Sequence, residues 1–251
     1  MPQLFGKANR AQPTSVADGA QVQVRTTGYG EVVTTQLGDN HSALADEGSY
    51  FKSVGFTTNP GTPVANAAAP GASYVATTPQ FIMYNNGAAG GKRIFMDYIR
   101  IYLSASTAST AAAGVGSAVI IEPGVNRRSG ATGTEYVGTN VNTDSGNAPN
   151  CKLYWSTGTV LTATALVSPR IVSRHQFKTM ATPAGTAGDV FSMDFGEHMS
   201  GAAPLAAGTV AQVFPASVGP VAVGGGASLL FYLWGFTAIP SYEWEIAWWE
   251  R

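Results

Sequence analysis

Few residues of this chain have the type and spacing that chemistry requires. The three histidines are His41, His175 and His198. None lies at metal-ligand spacing from another histidine or from the single cysteine, Cys151. His198 follows Glu197 closely after Asp194, which makes this the one candidate carboxylate–imidazole group of a hydrolase. We interpret it as an ordinary polar turn, because such groups arise easily without activity. We predict no catalytic, cofactor-binding or metal-binding residue, and no enzymatic activity.

Two other polar clusters have a structural and a functional interpretation. Asp39, Asp46 and Glu47 are hard oxygen ligands for calcium, but their spacing is not that of an EF-hand, so we favour helix capping. The Arg127–Arg128 doublet lies in a polar, turn-rich excursion near 124–149. Its side chains are either solvated or in contact with an acidic neighbouring subunit, since long loops in compact domains often carry interactions.

The tryptophans offer a third possibility, a sugar-binding face. They are Trp155, Trp234, Trp244, Trp248 and Trp249. A core position is the favoured interpretation, because their neighbours of the same parity are aliphatic.

The C-terminal segment has the clearest periodicity of the sequence. Tyr242, Trp244, Ile246 and Trp248 share one parity, and Glu243 and Glu245 share the other. This alternation predicts a strand with a core face of large apolar side chains. The preceding segment, Ser228 to Phe236, is apolar on both parities. We predict that it pairs antiparallel with the last strand and is buried on both faces, either inside a sandwich or at a subunit interface. We expect the function to lie at that second surface.

A long strand is also predicted from Lys92 to Leu103. Phe95, Ile99, Ile101 and Leu103 share one face with Asp97. The other face carries Met96, Tyr98, Arg100 and Tyr102. Because both faces are half apolar, we predict that Tyr98, Arg100 and Tyr102 belong to an interface or a second layer, together with Arg127 and Arg128.

Short strands separated by Gly/Pro turns run along the whole chain. They are predicted at 21–25, 31–35, 81–84, 92–103, 118–122, 152–155, 159–166, 170–180, 190–195, 212–214, 228–237 and 241–249. Only 41–54 is a candidate for a short helix or ordered loop. The pattern predicts an all-β, jelly-roll-like β-sandwich with long loops. We divide the chain into an extended N-terminal arm, 1–20, and a single domain, 21–251.

Composition favours a protein that assembles. Charged residues make up 12% and the net charge is −1, whereas about a quarter of a typical soluble domain is charged. A net charge near zero favours association. We find no basic stripe, so we expect no nucleic-acid partner. We also find neither a signal peptide nor an eighteen-residue apolar run, so we expect no membrane partner.

Several stretches resemble virion structural proteins of tailed bacteriophages. They are Leu44-Ala45-Asp46-Glu47-Gly48-Ser49-Tyr50-Phe51, Gly61-Thr62-Pro63, Gly91-Lys92-Arg93-Ile94-Phe95-Met96-Asp97-Tyr98 and Pro240-Ser241-Tyr242-x-Trp244-Glu245. The resemblance implies a capsid cement or decoration protein in the virion. Such proteins often form β-rich trimers on the shell, so it implies other copies of the chain and the major capsid protein as partners. A tail, collar or fibre-attachment component and a carbohydrate-binding sandwich that uses Trp155 or the terminal tryptophans are the alternatives.

Overall fold

Two β-sheets face each other across the core of the protein. The computed structural model describes residues 40–55, 74–103, 114–124, 128–129, 131, 134–156, 165–178, 188–196, 213–235 and 242–251. In chain order the elements are α1 Asn40–Asp46, β1 Tyr50–Gly55, β2 Phe81–Asn85, β3 Ile94–Leu103, β4 Gly114–Glu122, β5 Thr134–Tyr136, β6 Thr139–Asn140, β7 Cys151–Trp155, β8 Arg170–Lys178, β9 Val190–Phe195, β10 Val213–Val218, β11 Ala222–Val223, β12 Ser228–Gly235 and β13 Tyr242–Glu250. The prediction of an all-β sandwich is confirmed. No helix within these ranges is long and apolar enough to cross a membrane.

The strands alternate between the two sheets along much of the chain. Sheet 1 has the order β10-β9-β3-β13-β1-β6, with β11 paired to β3, and sheet 2 has the order β5-β7-β2-β12-β4-β8. Within this arrangement four antiparallel pairs are nested: β1 with β13, β2 with β12, β3 with β9, and β4 with β8. Early strands therefore pair with late ones, so the sheets are built from contacts between distant parts of the sequence.

Strand β13 lies in the middle of sheet 1, between β3 and β1. Its predicted core residues, Tyr242, Trp244, Ile246 and Trp248, are all at most 1% exposed. They pack against inward-facing residues of sheet 2 such as Trp155, Phe231 and Leu233. The alternating pattern of the segment thus identifies its core face correctly, because the other face carries the charged side chains.

The predicted pairing of the last two long strands is wrong. Strand β12 lies in sheet 2, between β2 and β4, whereas β13 lies in sheet 1. A hairpin is the usual expectation for strands close in sequence. It fails here because β12 and β13 pair with strands far away in sequence, an arrangement in which Phe231 and Leu233 of β12 pack across the core against the inward face of β13.

The outer face of β12 is covered by the same chain. Leu230, Tyr232 and Trp234 are buried there and pack against Tyr74, Ala131 and Leu166. The Tyr232 hydroxyl donates a hydrogen bond to the carbonyl of Ala76 at 2.9 Å. The prediction of burial on both faces is confirmed. The expectation that this second surface is the functional one is corrected, because residues of the chain itself already remove it from solvent.

In each sheet one tryptophan lies over a glycine of the neighbouring strand. Gly55 is the register partner of Trp244, and Gly116 is the register partner of Trp234. A Cβ atom at either glycine would overlap the indole ring beside it. The missing side chain therefore creates the space in which the large ring packs.

The segment predicted as a short helix or loop contains two elements. Helix α1 ends at Asp46, and Gly48, at φ +67°, turns the chain into β1. A positive φ is accessible to glycine at little cost, which explains the break. The predicted arm, 1–20, the strands at 21–25 and 31–35 and most of the strand at 159–166 lie outside the described residues.

Candidate functional site

The outward surface of sheet 1 brings polar and aromatic side chains from four strands together. We call it the polar face and define it by Lys52 of β1, Tyr98, Arg100 and Tyr102 of β3, Asp194 of β9 and Glu245 of β13. The strand register sets their spacing, since Arg100 lies opposite Glu245 on one side and opposite Ser192 on the other. Tyr98, Arg100 and Tyr102, the predicted interface residues of this strand, all lie here and are half-buried.

Glu245 is the centre of the polar face. Its Oε1 accepts a hydrogen bond from the Tyr98 hydroxyl and lies 3.0 Å from Lys52 Nζ and 3.7 Å from Arg100 Nη1. Burial alone would raise the pKa of the Glu245 carboxyl, but the Tyr98 hydrogen bond and the Lys52 and Arg100 charges outweigh it and hold that pKa below its usual value. The carboxylate is therefore ionised and fixed at neutral pH.

Tyr98 and Arg100 form a rigid pair beside this carboxylate. The Arg100 guanidinium lies over the Tyr98 ring, 4.0 Å from its centroid. Burial and the hydrogen bond to Glu245 raise the pKa of the Tyr98 phenol well above its usual value, so the hydroxyl stays a donor. A stacked arginine and a neutral tyrosine expose flat, preorganised groups, which is the composition that protein interfaces favour.

Of the three residues of the candidate hydrolase group, the structure describes only Asp194. Asp194 lies on the polar face, opposite Tyr98, and accepts a hydrogen bond from the Ser192 hydroxyl at 3.0 Å. His198 and Glu197 lie outside the described residues, so the predicted carboxylate–imidazole group stays a prediction. Among the described residues, no group of three His, Cys, Asp or Glu side chains is arranged to hold a metal ion.

A bulge in β3 changes which residues face outward. Tyr98 pairs with Ala247 and Met96 with Trp248, so Asp97 has no partner on β13. Strand β3 consequently buries Ile94 and Met96 before the bulge and Ile99 and Ile101 after it. The predicted strict alternation is therefore wrong for Phe95 and Met96, which exchange faces. The extra residue inserted by a bulge shifts the side-chain parity of everything that precedes it.

The bulge places the Asp97 carboxylate at one end of the outer surface. It accepts hydrogen bonds from the Tyr50 hydroxyl and from His41 Nε2, the latter at 2.9 Å. Burial and the contact with Asp97 raise the pKa of the Tyr50 phenol far above its usual value. No role on this surface is predicted for Lys52, Tyr50 and His41, because 41–54 is predicted to be a short helix or ordered loop. Tyr50-Phe51-Lys52-Ser53 does not alternate between apolar and polar residues, so the sequence carries no clear strand signal there.

Arg128 is not an interface residue. Its side chain is 3% exposed, and its Nε donates a hydrogen bond to Glu122 Oε2 at 2.7 Å. Glu122 is itself buried and also accepts a hydrogen bond from the Val167 amide at 2.9 Å. Both interpretations of Arg128, solvated loop and subunit contact, are thus corrected, because its charge is needed inside the chain to balance Glu122. Arg127 lies outside the described residues.

Four of the five tryptophans belong to the core. Trp155, Trp234, Trp244 and Trp248 are at most 1% exposed, so the core interpretation is right for them and a sugar-binding role of Trp155 is excluded by its burial. Trp249 differs, because it lies on the outer surface of sheet 1 and is half-buried. Its ring stacks on Phe95 with centroids 5.8 Å apart and planes 8° apart.

Comparison of the chain with protein-family models, with curated proteins and with solved structures gives no match.

Proposed function

We propose that this protein is a bacteriophage virion structural protein, a capsid cement or decoration protein that binds and stabilises the major capsid shell as an oligomer, most simply a trimer. The nested strand pairing carries the proposal. Pairs β1·β13, β2·β12, β3·β9 and β4·β8, distributed over two sheets, support a jelly-roll connectivity as part of this proposal. Viral capsid domains use this architecture widely. The phage-like stretches of the sequence agree with it, and no enzymatic activity is part of the proposal.

The polar face is the surface that we assign to a neighbouring copy of the chain. Tyrosine and arginine are enriched at the energetically important positions of interfaces, and here they are held in place before association by Glu245 and Lys52. Preorganised side chains lose less conformational entropy on binding. A stable interface buries about 800 Å² on each partner, which a face formed by several adjacent strands can supply.

The edge of sheet 1 next to this face does not favour strand addition. Strand β10 is the outermost strand there and pairs in parallel with β9. It contains Pro215, which lacks the N–H group that a further strand would need. Association through the face, with side chains rather than backbone, is therefore the arrangement that these strands support.

The oligomer is tested by native mass spectrometry and light scattering of the purified chain. We expect an oligomer for the wild type and a shift toward monomer for Arg100→Glu and for Tyr102→Ala. Arg170→Glu is the matched control, because it makes the same charge change at an exposed position of β8, in the other sheet. A wild-type monomer at micromolar concentration, or equal effects of Arg100→Glu and Arg170→Glu, contradicts the role of the polar face.

The location is tested on purified virions of the phage that encodes the chain. Quantitative mass spectrometry is expected to find it in tens to hundreds of copies, in fixed ratio to the major capsid protein. A cryo-EM map then shows whether the copies lie on the shell. A few copies per particle, or absence from the particle, contradicts the assignment to the capsid.

A further inference from the structure

A half-open cleft lies at the end of the outer surface of sheet 1, where α1 crosses it. It encloses about 320 Å³. We call it the Trp249 cleft; its lining comprises His41 and Leu44 of α1, Phe95, Met96 and Asp97 of β3, Trp249 and Arg251 at the end of β13, and Phe195, Gly196, Pro220 and Val221. Ligand sites usually range from about 300 to 1,000 Å³, so this cleft matches a ligand at the small end of that range.

One wall of the cleft is aromatic. Phe95 and Trp249 are cross-strand partners whose rings lie parallel, 5.8 Å apart between centroids. The His41 ring contacts Trp249 edge-on, with centroids 6.2 Å apart. The four other tryptophans are all buried, so Trp249 is the one indole that reaches this outer surface. A flat ring, fixed by a stacked neighbour and still partly open, is suited to bind another flat apolar surface.

The opposite side of the cleft is polar, and the bulge in β3 is its cause. Without the bulge, Asp97 would share the parity of the buried residues Ile99 and Ile101. With the bulge, Asp97 lies on the cleft side, and its side chain is only 12% exposed. Tyr50 and His41 occupy part of the acceptor capacity of its two oxygens. A carboxylate accepts about four hydrogen bonds, so capacity remains for a ligand. Bulges are over-represented next to binding and active sites because they re-aim a side chain.

Arg251 supplies donors on the rim. Its amide donates a hydrogen bond to the Arg93 carbonyl at 3.0 Å, which fixes the backbone beside Trp249. Its Nη2 lies 2.9 Å from Glu47 Oε2, and the side chain is 57% exposed. A guanidinium has five N–H donors, so one contact with Glu47 leaves others for a ligand.

From these groups we infer that the Trp249 cleft binds a saccharide of one or two sugar rings. The C–H face of a pyranose packs on an indole, while its hydroxyl groups both donate and accept. They therefore match a carboxylate, an imidazole and a guanidinium together. Asp97 disfavours an anionic ligand and Arg251 disfavours a cationic one, whereas a neutral polyhydroxylated ring is compatible with both. The inference rests on this cleft alone and does not depend on the capsid proposal.

The test is binding of the intact chain to an array of immobilised mono- to tetrasaccharides, followed by titration of each free sugar that binds, with tryptophan fluorescence and saturation-transfer NMR as readouts. We expect at least one saccharide to bind. Trp249→Ala should weaken that binding about tenfold or more, as truncation of a central aromatic contact does. Arg251→Ala, at a side chain that is 57% exposed, should weaken it several-fold.

Two controls keep the result interpretable. Val137→Ala changes a side chain that is 78% exposed and outside the cleft, and should bind as the wild type does. Thermal unfolding of each variant shows whether a loss of binding is caused by a loss of folding. If Trp249→Ala is unfolded, the binding measured for Arg251→Ala decides the test. No bound saccharide on the array, or unchanged affinity in both Trp249→Ala and Arg251→Ala, overturns the inference.

Discussion

The indole rings of Trp155 and Trp244 stack across the interior of the sandwich, with centroids 4.1 Å apart and planes 10° apart. Trp155 belongs to β7 of sheet 2 and Trp244 to β13 of sheet 1. Tyr136 meets Trp244 edge-on at 4.9 Å, and Gly55 leaves room beside it. The contact joins the two sheets directly, so it links the stability of one sheet to the position of the other.

Trp155→Ala is expected to lower the free energy of unfolding by about 3–5 kcal/mol, because it removes a fully buried indole and leaves a cavity beside Trp244. Urea denaturation followed by circular dichroism measures the change. Trp249→Ala is the comparison, since Trp249 is half-buried and loses less contact. Equal losses in the two variants would contradict the central position of the stack.

Arg128→Met is expected to destabilise the protein by about 3–5 kcal/mol, because it removes the positive charge that lies 2.7 Å from the buried Glu122 carboxylate. The double variant Glu122→Gln/Arg128→Met removes both charges and keeps an acceptor for the Val167 amide. We expect it to unfold at a higher urea concentration than Arg128→Met alone. A double variant that loses the sum of the two single effects would show that the charges do not depend on each other.

Glu245 should make stability depend on acid pH. Its pKa in the folded protein is held below the ordinary value of 4.5, so its contribution is complete above that value and is lost as the pH falls through the folded pKa. Glu245→Gln is therefore expected to be less stable than the wild type at pH 7, and the difference should be smaller at pH 3. Denaturation at both pH values measures it. A difference between Glu245→Gln and the wild type that is the same at the two pH values would contradict this role of Glu245.

Gly116→Ala is expected to lower the free energy of unfolding by about 1–3 kcal/mol, since the new methyl group overlaps the Trp234 ring, which is itself packed under surface loops. The matched control is Gly224→Ala, where an added Cβ meets no atom within 4 Å. Thermal unfolding compares the two. A stability of Gly116→Ala equal to that of the control would mean that the indole can move aside.

Cys151 should report on unfolding. Burial raises the pKa of its thiol well above the usual value, and the thiolate is the reactive form. We expect Ellman's reagent to react slowly in buffer and fast in denaturing urea, with a native rate that follows the unfolding equilibrium. Rapid stoichiometric reaction of the folded chain would show that β7 opens locally.

The sequence predicts this fold well where one face of a strand is apolar and the other polar. The core residues of β13, and β2, β7 and β9, follow from alternation or from short apolar runs, because burial on one side imposes a period of two. Pairing could not be predicted in the same way. Consecutive strands β12 and β13 lie in different sheets, and nothing local to their sequence encodes that separation.

The candidate site was predicted in part. Alternation predicts the side of β3 on which Tyr98, Arg100 and Tyr102 lie, whereas their role at an interface stays a prediction. The contacts that organise them come from Lys52 and Glu245, on strands far away in sequence. Arg128 was misinterpreted because its partner Glu122 appears in the sequence as an ordinary strand end. The bulge at Asp97 has no local signal either, since it is defined by register with β13. Such features depend on which strands become neighbours, and that is set by the packing of the whole chain.

The position of β13 also sets the order of events during biosynthesis. Tyr50 pairs with Trp249, and β3 and β1 meet only through β13. Until β13 has been synthesised, β1 and β3 have no central strand to pair with, and their apolar inner faces are not covered by sheet 1 packing. Sheet 1 can therefore close only after residue 250 has left the exit tunnel, and folding is slow, as long-range β pairing requires.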